Sequence, residues 1–176
     1  MIFIHLMGTH WNFKHRYPEE YNIFKSAPRT HIKDKKKQQI INEYHNAILY
    51  NDFIVNSIID KVAATRTESY VTYFSDHGVD VFENVTKGAQ HSDRNPTKPM
   101  YEIPFVVWMS DSYKSKLNID YKSNRKYVMS DFIHSFSQLS DIKFDDYDST
   151  KSIFNDVYFF DKEKVMNTRL EKIIYD

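Results

Sequence analysis

The feature that most constrains the fold is a long stretch of helical periodicity beginning near residue 40. Apolar residues recur there at close to the helical period, which predicts one long amphipathic helix: Ile40, Tyr44, Ile48, Ile54, Ile58 and Val62. The preceding run of three lysines, residues 35–37, is interpreted as the solvated start of this helix rather than as a phosphate site. The apolar stripe of such a helix has to pack on another element, and a sheet is the expected partner.

Short apolar segments rich in β-branched and aromatic residues supply the expected sheet. Residues 1–6 predict a buried strand that opens into a loop at Gly8, and residues 69–75 and 103–109 predict two more strands. A late strand is expected near residues 158–160, with a short strand or helix near residue 176. Ser130 or Asp131 is expected to cap a second helix that has four apolar residues on one face, Phe132, Ile133, Phe136 and Leu139.

This order of elements predicts an α/β layered fold in a single domain over residues 1–176. The chain has 176 residues, 41% of them hydrophobic, which suffices for one core burying about two-thirds of the extended-chain surface. No run approaches the roughly 20 apolar residues of a membrane helix. The first seven residues lack the basic flank and cleavage site of a signal peptide, so a soluble chain is expected.

Charge and cysteine content exclude several functional classes. Lys and Arg number 24, as do Asp and Glu, so the chain lacks the cationic excess typical of nucleic-acid-binding proteins and of polybasic membrane-surface proteins. The absence of cysteine excludes thiol nucleophiles, cysteine-ligated metals and disulfides. It does not fix the compartment, because an oxidising space permits disulfides without requiring them.

Glycine is scarce, and its placement is informative. Only three of the 176 residues are glycine, against a usual share of about 7%. Each lies within three residues of a histidine: Gly8 before His10, Gly78 after His77, and Gly88 before His91. We expect these glycines where the backbone turns sharply or approaches a ligand. The alternative is three ordinary turns that happen to lie near three of the eight histidines.

The tripeptide Asp76-His77-Gly78 directly follows a predicted strand. Adjacent side chains on a regular strand point to opposite faces, so Asp76 and His77 can reach one ion only if the strand breaks there, and Gly78 supplies the break. A carboxylate with an imidazole suits Zn²⁺ or Mn²⁺, with one or two further ligands from elsewhere. If the predicted strands are neighbours, His10 and His91 share that edge of the sheet and could bind a phosphoryl group beside the cation. The alternative is an ordinary surface Asp-His pair.

The remaining histidines receive structural interpretations. His5 alternates with apolar residues and is expected in the core, whereas His15, His31 and His45 are expected at the surface. His134 lies on the second predicted helix, where either role is open.

Five sequence blocks follow one another within roughly residues 1–140. They are His5-Leu6-Met7-Gly8-Thr9-His10, Arg16-Tyr17-Pro18, the helical set Tyr44, Asn46, Ile48, Leu49, Tyr50 and Asp52, Ser75-Asp76-His77-Gly78, and Pro96-Thr97 with Met100-Tyr101-Glu102-Ile103-Pro104-Phe105. In this order the blocks resemble the catalytic domain of the bacterial phosphoethanolamine transferases, in the sulfatase-like branch of the alkaline phosphatase superfamily. The Gly8-Thr9-His10-Trp11 variant and the last block are more similar to members that modify lipopolysaccharide core sugars than to those that act on lipid A.

The resemblance implies an alkaline-phosphatase-like layered sheet with flanking helices, and it implies roles for four residues. Asp76 and His77 match the family's zinc ligands, His10 matches a histidine that contacts the substrate phosphate or a second metal, and His91 matches a histidine in the following loop. The helical block is expected to be structural. Two departures stand out: Val79 occupies a position where many relatives have Glu, and the spacing to His91 passes through an unusual segment at residues 86–88.

The implied activity is transfer of phosphoethanolamine from phosphatidylethanolamine to lipopolysaccharide, at a core sugar or lipid A, through a threonine intermediate. The family's nucleophilic threonine and zinc-binding glutamate lie upstream of the region matched here. We therefore expect the carboxyl-terminal half of a catalytic domain that lacks amino-terminal strands and a catalytic nucleophile, binds zinc weakly and is inactive without its upstream half. The implied location is the periplasmic face of a bacterial inner membrane. Alternatives are a related metal-dependent phosphatase or sulfatase, or a non-catalytic remnant.

Overall fold

The computed structural model describes residues 1–26, 30–84, 91–117, 119, 122, 125–161, 165–167 and 169–173. Its contacts group the chain into two compact units. The first comprises Met1–Ser92 and Pro96–Trp108, and the second comprises Asp93–Asn95 and Met109–Asp176. The single-domain organisation stays a prediction, and the two units are described separately.

The first unit is built on the predicted long helix, α1, which spans Lys35–Ala63. It begins where expected because the Asp34 carboxylate accepts hydrogen bonds from the backbone N–H groups of Lys36 and Lys37, at 2.8 and 3.2 Å. These bonds satisfy two of the donors that a helix leaves unpaired at its first turn. The lysine run is thus the start of the helix, as predicted.

The core of the first unit lies along α1. The backbone N–H groups of Ile23 and Phe24 donate to Asn46 Oδ1, at 3.1 and 2.9 Å, and Asn46 is 1% exposed. This buried amide therefore ties the segment before the helix to the middle of α1, in keeping with the structural role expected of that block. The buried apolar cluster beside it contains Phe13, Ile41, Ala47, Val81 and Phe82.

Two of the predicted strands form a two-stranded sheet in the first unit. β1 spans Tyr70–Phe74 and β2 spans Phe105–Met109. β1 contacts α1, and the Tyr73 hydroxyl accepts a hydrogen bond from Asn51 Nδ2 at 2.8 Å. A short helix, α2, spans Lys98–Tyr101 just before β2, where no helix or strand was predicted. In sequence, α1 precedes β1 and α2 separates β1 from β2, with the candidate site residues directly after β1.

The strand predicted for residues 1–6 is wrong. These residues form no regular element, and the side chains of Met1, Ile2 and Phe3 are 80–85% exposed. An apolar segment becomes a buried strand only where neighbouring strands pair with it and other layers cover it. In the described part of the chain β1 and β2 pair only with each other. His5 is exposed as well, so its predicted core position is also wrong.

The second unit contains two helices, α3 at Asp111–Leu117 and α4 at Phe132–Ser140. α4 begins where predicted, after a 3₁₀ turn at Met129–Asp131, but its buried face differs from the predicted one. Leu139 is fully buried, as predicted, but Ile133 is 52% exposed and Ser135 is fully buried in its place. Ser135 can be buried because its hydroxyl accepts a hydrogen bond from the backbone N–H of Ile153 at 3.1 Å.

The late strand predicted at residues 158–160 is also wrong. Phe159 donates its backbone N–H to Thr150 O at 2.8 Å and its side chain is 69% exposed, with no strand pairing among the described residues there. Arg125 Nη1 binds the carbonyls of Ile153 and Asn155, at 2.5 and 2.6 Å, and this fixes the preceding segment in an irregular path. The short element expected near the end is a single antiparallel bridge between Met166 and Lys172.

None of the helices within the described ranges combines the length and apolar character that crossing a bilayer requires.

Candidate active site

The chain turns immediately after β1, at Asp76 and His77, as the sequence predicted. The backbone N–H of His77 donates to the Asp76 carboxylate at 3.0 Å, and the Ser75 hydroxyl donates to His77 O at 2.7 Å. Asp76 is exposed and His77 is half-buried. These short-range bonds fix a corner at which the carboxylate and the imidazole are no longer constrained to opposite faces of a strand.

The His77 imidazole contacts the backbone of the next residue. His77 Nδ1 lies 2.8 Å from Gly78 O. A backbone carbonyl only accepts hydrogen bonds, so Nδ1 is the donor in this contact, and in the neutral imidazole Nε2 then carries the lone pair. This is the arrangement that metal-binding histidines adopt, with one ring nitrogen held by a carbonyl and the other available as a ligand.

Gly78 is required at this corner because another backbone segment lies against it. Its N–H donates to Met100 O at 2.9 Å. A Cβ atom built on Gly78 would lie 2.0 Å from Pro99 O and 3.1 Å from Glu102 O. The predicted break after β1 is therefore real, and its cause is the close approach of α2.

His91 lies on top of His77. The two imidazole rings are stacked, with centroids 3.7 Å apart and an interplanar angle of 22°. Two of the four predicted site residues are thus brought together. Gly88, and with it the segment at residues 86–88 that precedes His91, lies outside the described residues.

His10 belongs to a second glycine-histidine loop, at residues 7–10. Gly8 has φ of +47°, in the left-handed region that favours glycine, and the His10 N–H donates to Met7 O at 3.2 Å. The side chain of Arg16 donates to His10 O from Nε at 3.1 Å and to Trp11 O from Nη2 at 3.0 Å. Arg16 thereby fixes the backbone of the loop, while the His10 side chain is exposed. The assignment of His10 and His91 to a substrate phosphate stays a prediction.

The donor set at the corner fits part of a metal site. Across the part of the chain that the structure describes, no three or more His, Cys, Asp or Glu side chains gather closely enough to hold an ion. The exposed carboxylate of Asp76 and the Nε2 lone pair of His77 are ligands of the kind that zinc accepts, and they would make up half of a tetrahedral set. The remaining ligands would have to come from residues outside this group.

A buried carboxylate that the sequence pattern did not reveal lies four residues beyond Asp76. Asp80 is fully buried and accepts hydrogen bonds from Thr97 Oγ1 at 2.6 Å and from Asn84 N and Nδ2 at 3.1 and 3.0 Å. Burial alone would raise the pKa of Asp80, but the hydrogen bonds from Thr97 and Asn84 outweigh it and lower the pKa below its ordinary value. Thr97 followed by a proline two residues later is a helix-start signal that could have identified α2.

The other histidines differ in exposure. His15 and His31 are exposed, as predicted, whereas His45 is half-buried with its ring 5.7 Å from that of Phe24. His134 is buried in α4 of the second unit, where its Nδ1 accepts the backbone N–H of Asp148 at 3.1 Å. His134 is therefore a structural residue in its own unit.

Comparison with known proteins identifies the family. The family model described as Sulfatase matches residues 1–142, and the chain belongs to that family. Its fold is alkaline-phosphatase-like, as predicted. Its relatives include the phosphoethanolamine transferase EptC of Escherichia coli K12, 35% identical over 161 residues, and CptA of Salmonella typhimurium, 36% identical over 160 residues. Each match covers 88% of this chain and 28% of the relative, so the chain spans little more than a quarter of their length.

Solved structures agree with this assignment. The C-terminal periplasmic domain of EptC from Escherichia coli is 34% identical with a TM-score of 0.83, over 90% of this chain and 46% of that one. The same domain solved as a complex with Zn has a TM-score of 0.84. The soluble domain of lipooligosaccharide phosphoethanolamine transferase A from Neisseria meningitidis shares the fold, with a TM-score of 0.72 at 24% identity over 85% of this chain and 48% of that one. The predicted resemblance to phosphoethanolamine transferases is confirmed.

Proposed function

We propose that this chain is part of a metal-dependent phosphoethanolamine transferase that moves phosphoethanolamine from phosphatidylethanolamine to lipopolysaccharide. The observation that carries the proposal is the corner after β1, where His77 Nδ1 is held by Gly78 O and the Asp76 carboxylate accepts the backbone N–H of His77. The matches to EptC and CptA, which cover 88% of this chain, support phosphoethanolamine as the transferred group. The acceptor is a core sugar or lipid A.

In this proposal Asp76 and His77 hold a zinc ion, for which Mn²⁺ or another divalent metal could substitute. The bound cation would supply positive charge to the phosphoryl oxygens. Zinc is chosen because the relative of 34% identity was solved with it. His91, which is stacked on His77, and His10 would donate hydrogen bonds to the same oxygens and so bind the substrate rather than the metal.

The transfer reaction needs residues that lie outside this chain. A threonine outside it would attack phosphorus, its oxygen forming the new P–O bond while diacylglycerol leaves. A hydroxyl of the acceptor would then displace the threonine. The upstream half of the same domain is the proposed source of this threonine and of the missing metal ligands. The proposed location, facing the periplasm from a bacterial inner membrane, is supported by the periplasmic domain of Escherichia coli EptC.

A hybrid protein tests the proposal. The chain would replace the aligned stretch of Escherichia coli K12 EptC in a strain that lacks this enzyme, with lipopolysaccharide analysed by mass spectrometry and zinc measured in the purified hybrid. We expect phosphoethanolamine on lipopolysaccharide and about one bound zinc, both strongly reduced by Asp76→Asn or His77→Ala because each change removes one of the two ligands that this chain supplies. His31→Ala, which changes an exposed histidine elsewhere, is the control.

The outcomes separate the alternatives. A folded hybrid that retains its zinc after Asp76→Asn and His77→Ala would refute the ligand assignment. Hydrolysis of aryl sulfate or aryl phosphate without transfer would instead assign the chain to a related hydrolase. A folded, zinc-loaded hybrid with neither activity would favour a non-catalytic remnant.

A further inference from the structure

We propose that Asp80 is a positioning residue for the corner formed by Asp76 and His77, acting through Thr97 and α2. The metal-binding part of this inference rests on the proposed function, whereas its structural part does not. Asp80 lies four residues beyond Asp76 and touches neither of the two candidate ligands through the hydrogen bonds described above. Its effect would therefore be transmitted through the backbone of α2.

The first step is the cost of burying the Asp80 carboxylate. The residue is fully buried, and a buried carboxylate is unfavourable unless hydrogen bonds replace its hydration. Three donors do so: the Thr97 hydroxyl, the Asn84 N–H and the Asn84 side-chain amide. If the side chain at position 80 only filled space under the loop, an apolar residue would do so without this cost. The charged group is thus matched to specific donors, and Thr97 makes the shortest of these bonds.

The second step is what Thr97 holds. Thr97 is the N-cap residue of α2, a single helical turn, so its position fixes where that turn lies. The carbonyls of Pro99, Met100 and Glu102 are the groups that contact Gly78, with Met100 O accepting its N–H. Gly78 O in turn holds His77 Nδ1. A continuous series of contacts therefore runs from Asp80 to the imidazole.

The third step is the strained loop that Asp80 closes. Phe82 has φ of +71°, a left-handed conformation that is costly for a bulky aromatic residue, of the order of 1–3 kcal/mol. Its ring is 4% exposed and lies 5.2 Å from Lys37 Nζ. The bonds from Asp80 to Asn84 span this residue. Such strain persists only where the surroundings over-determine the conformation, and Asp80 supplies that constraint on one side of the corner.

Two variants of Thr97 separate positioning from stability in the full chain. Thr97→Val removes the hydroxyl donor at nearly constant shape, and Thr97→Ser keeps it. Two readouts are taken well below the melting temperature of each variant: hydrogen exchange of the Gly78 amide by NMR, and zinc affinity by competition with a chromogenic chelator. We expect Thr97→Val to speed Gly78 exchange and to weaken zinc binding about tenfold, the size typical of lost outer-shell partners, and Thr97→Ser to restore both.

Asn42→Leu is the matched control in the same unit. It removes a buried hydrogen bond from Asn42 Nδ2 to Ser26 O at 2.8 Å, on a part of α1 before its middle. We expect it to lower the melting temperature without changing either readout. Asp80→Asn, which keeps the shape of the side chain but removes its charge, is a second test should Thr97→Val fail to fold, with the same direction expected for both readouts.

The results decide as follows. Wild-type Gly78 exchange and zinc affinity in Thr97→Val would overturn the proposal, whatever its melting temperature. Equal shifts in Asn42→Leu would overturn it as well, because the effect would then be general destabilisation. If neither the wild-type chain nor the EptC hybrid binds zinc but Thr97→Val still speeds Gly78 exchange, the positioning role is supported and the metal assignment of the proposed function fails by itself.

Discussion

Two loops of the first unit each place a glycine within two residues of a histidine, yet they use the glycine for different reasons. At residues 7–10, Gly8 supplies a left-handed backbone with φ of +47°. At residues 75–78, Gly78 supplies the absence of a side chain, because Pro99 O occupies the space of a Cβ. The same pair of residue types therefore marks a conformational need in one loop and a packing need in the other.

The two loops also differ in how they hold their histidines. Arg16 binds the backbone of the first loop and leaves the His10 side chain exposed. In the second loop the ring of His77 is held by Gly78 O and stacked on His91. The second loop thus holds its histidine by the ring, whereas the bonds from Arg16 in the first loop hold only the backbone at its histidine.

The largest expected effect is that of Gly78→Ala. The new Cβ would meet a backbone oxygen at 2.0 Å, which cannot move away as a flexible side chain could, so α2 has to shift. We expect a loss of about 3 kcal/mol in the free energy of unfolding, at the upper end for overpacking. Urea denaturation followed by circular dichroism measures it. A loss below about 1 kcal/mol would show that α2 yields easily and that Gly78 is not a packing requirement.

The fold was predictable where the signal was local. The period of α1 and the β-rich composition of residues 69–75 and 103–109 depend on near neighbours in sequence, and all three elements appear close to their predicted bounds. Residues 1–6 carry an equally good strand pattern, but a buried strand depends on partners far away in sequence. The pattern shows that residues 1–6 could form a strand. Since none of the described strands pairs with them, they stay exposed.

The site was predictable to a similar degree. Asp76, His77 and Gly78 could be selected from residue chemistry and their position after a strand. The reason for the glycine could not be predicted. Pro99 O lies 2.0 Å from where a Cβ of residue 78 would be, and Pro99 is 21 residues further along the chain. Asp80 was missed for a related reason: its partner Thr97 is 17 residues away, and a single carboxylate in a polar loop gives no sign of being buried. On α4, hydrogen bonds from the following loop turned polar positions inward against the apolar pattern.

A smaller effect is expected for the matched change in the first loop, Gly8→Ala. Here the cost is conformational, about 1–2 kcal/mol for placing a Cβ residue in the left-handed region, with only a mild contact to Asn51 Oδ1 at 3.3 Å. Gly8→Asn is the control, because asparagine tolerates this conformation better than alanine does. We expect asparagine to recover part of the loss in urea denaturation. Equal losses for the two variants would mean that space, rather than φ, limits this position and would erase the contrast with Gly78.

The smallest expected effect is a difference in acid sensitivity between the loops. The pKa of Asp80 is lowered in the folded chain from an ordinary value of 3.8, so its contribution to stability is complete above that value and is lost as the pH falls through the folded pKa. The second loop should therefore loosen in acid. The first loop is held instead by hydrogen bonds from the Arg16 side chain to the carbonyls of His10 and Trp11, in which no carboxylate takes part.

Amide protection factors of the wild-type chain between about pH 5 and pH 3 check this difference, with each rate corrected for the intrinsic pH dependence of exchange. Protection of the Gly78 N–H, bonded to Met100 O, should fall relative to that of the His10 N–H, bonded to Met7 O. In Asp80→Asn the side chain no longer titrates, so the relative fall should disappear. If the protection factors of both amides fell in parallel and Asp80→Asn did not change this, acid would be destabilising the whole unit. Asp80 would then not stabilise the corner after β1 separately from the rest of the unit.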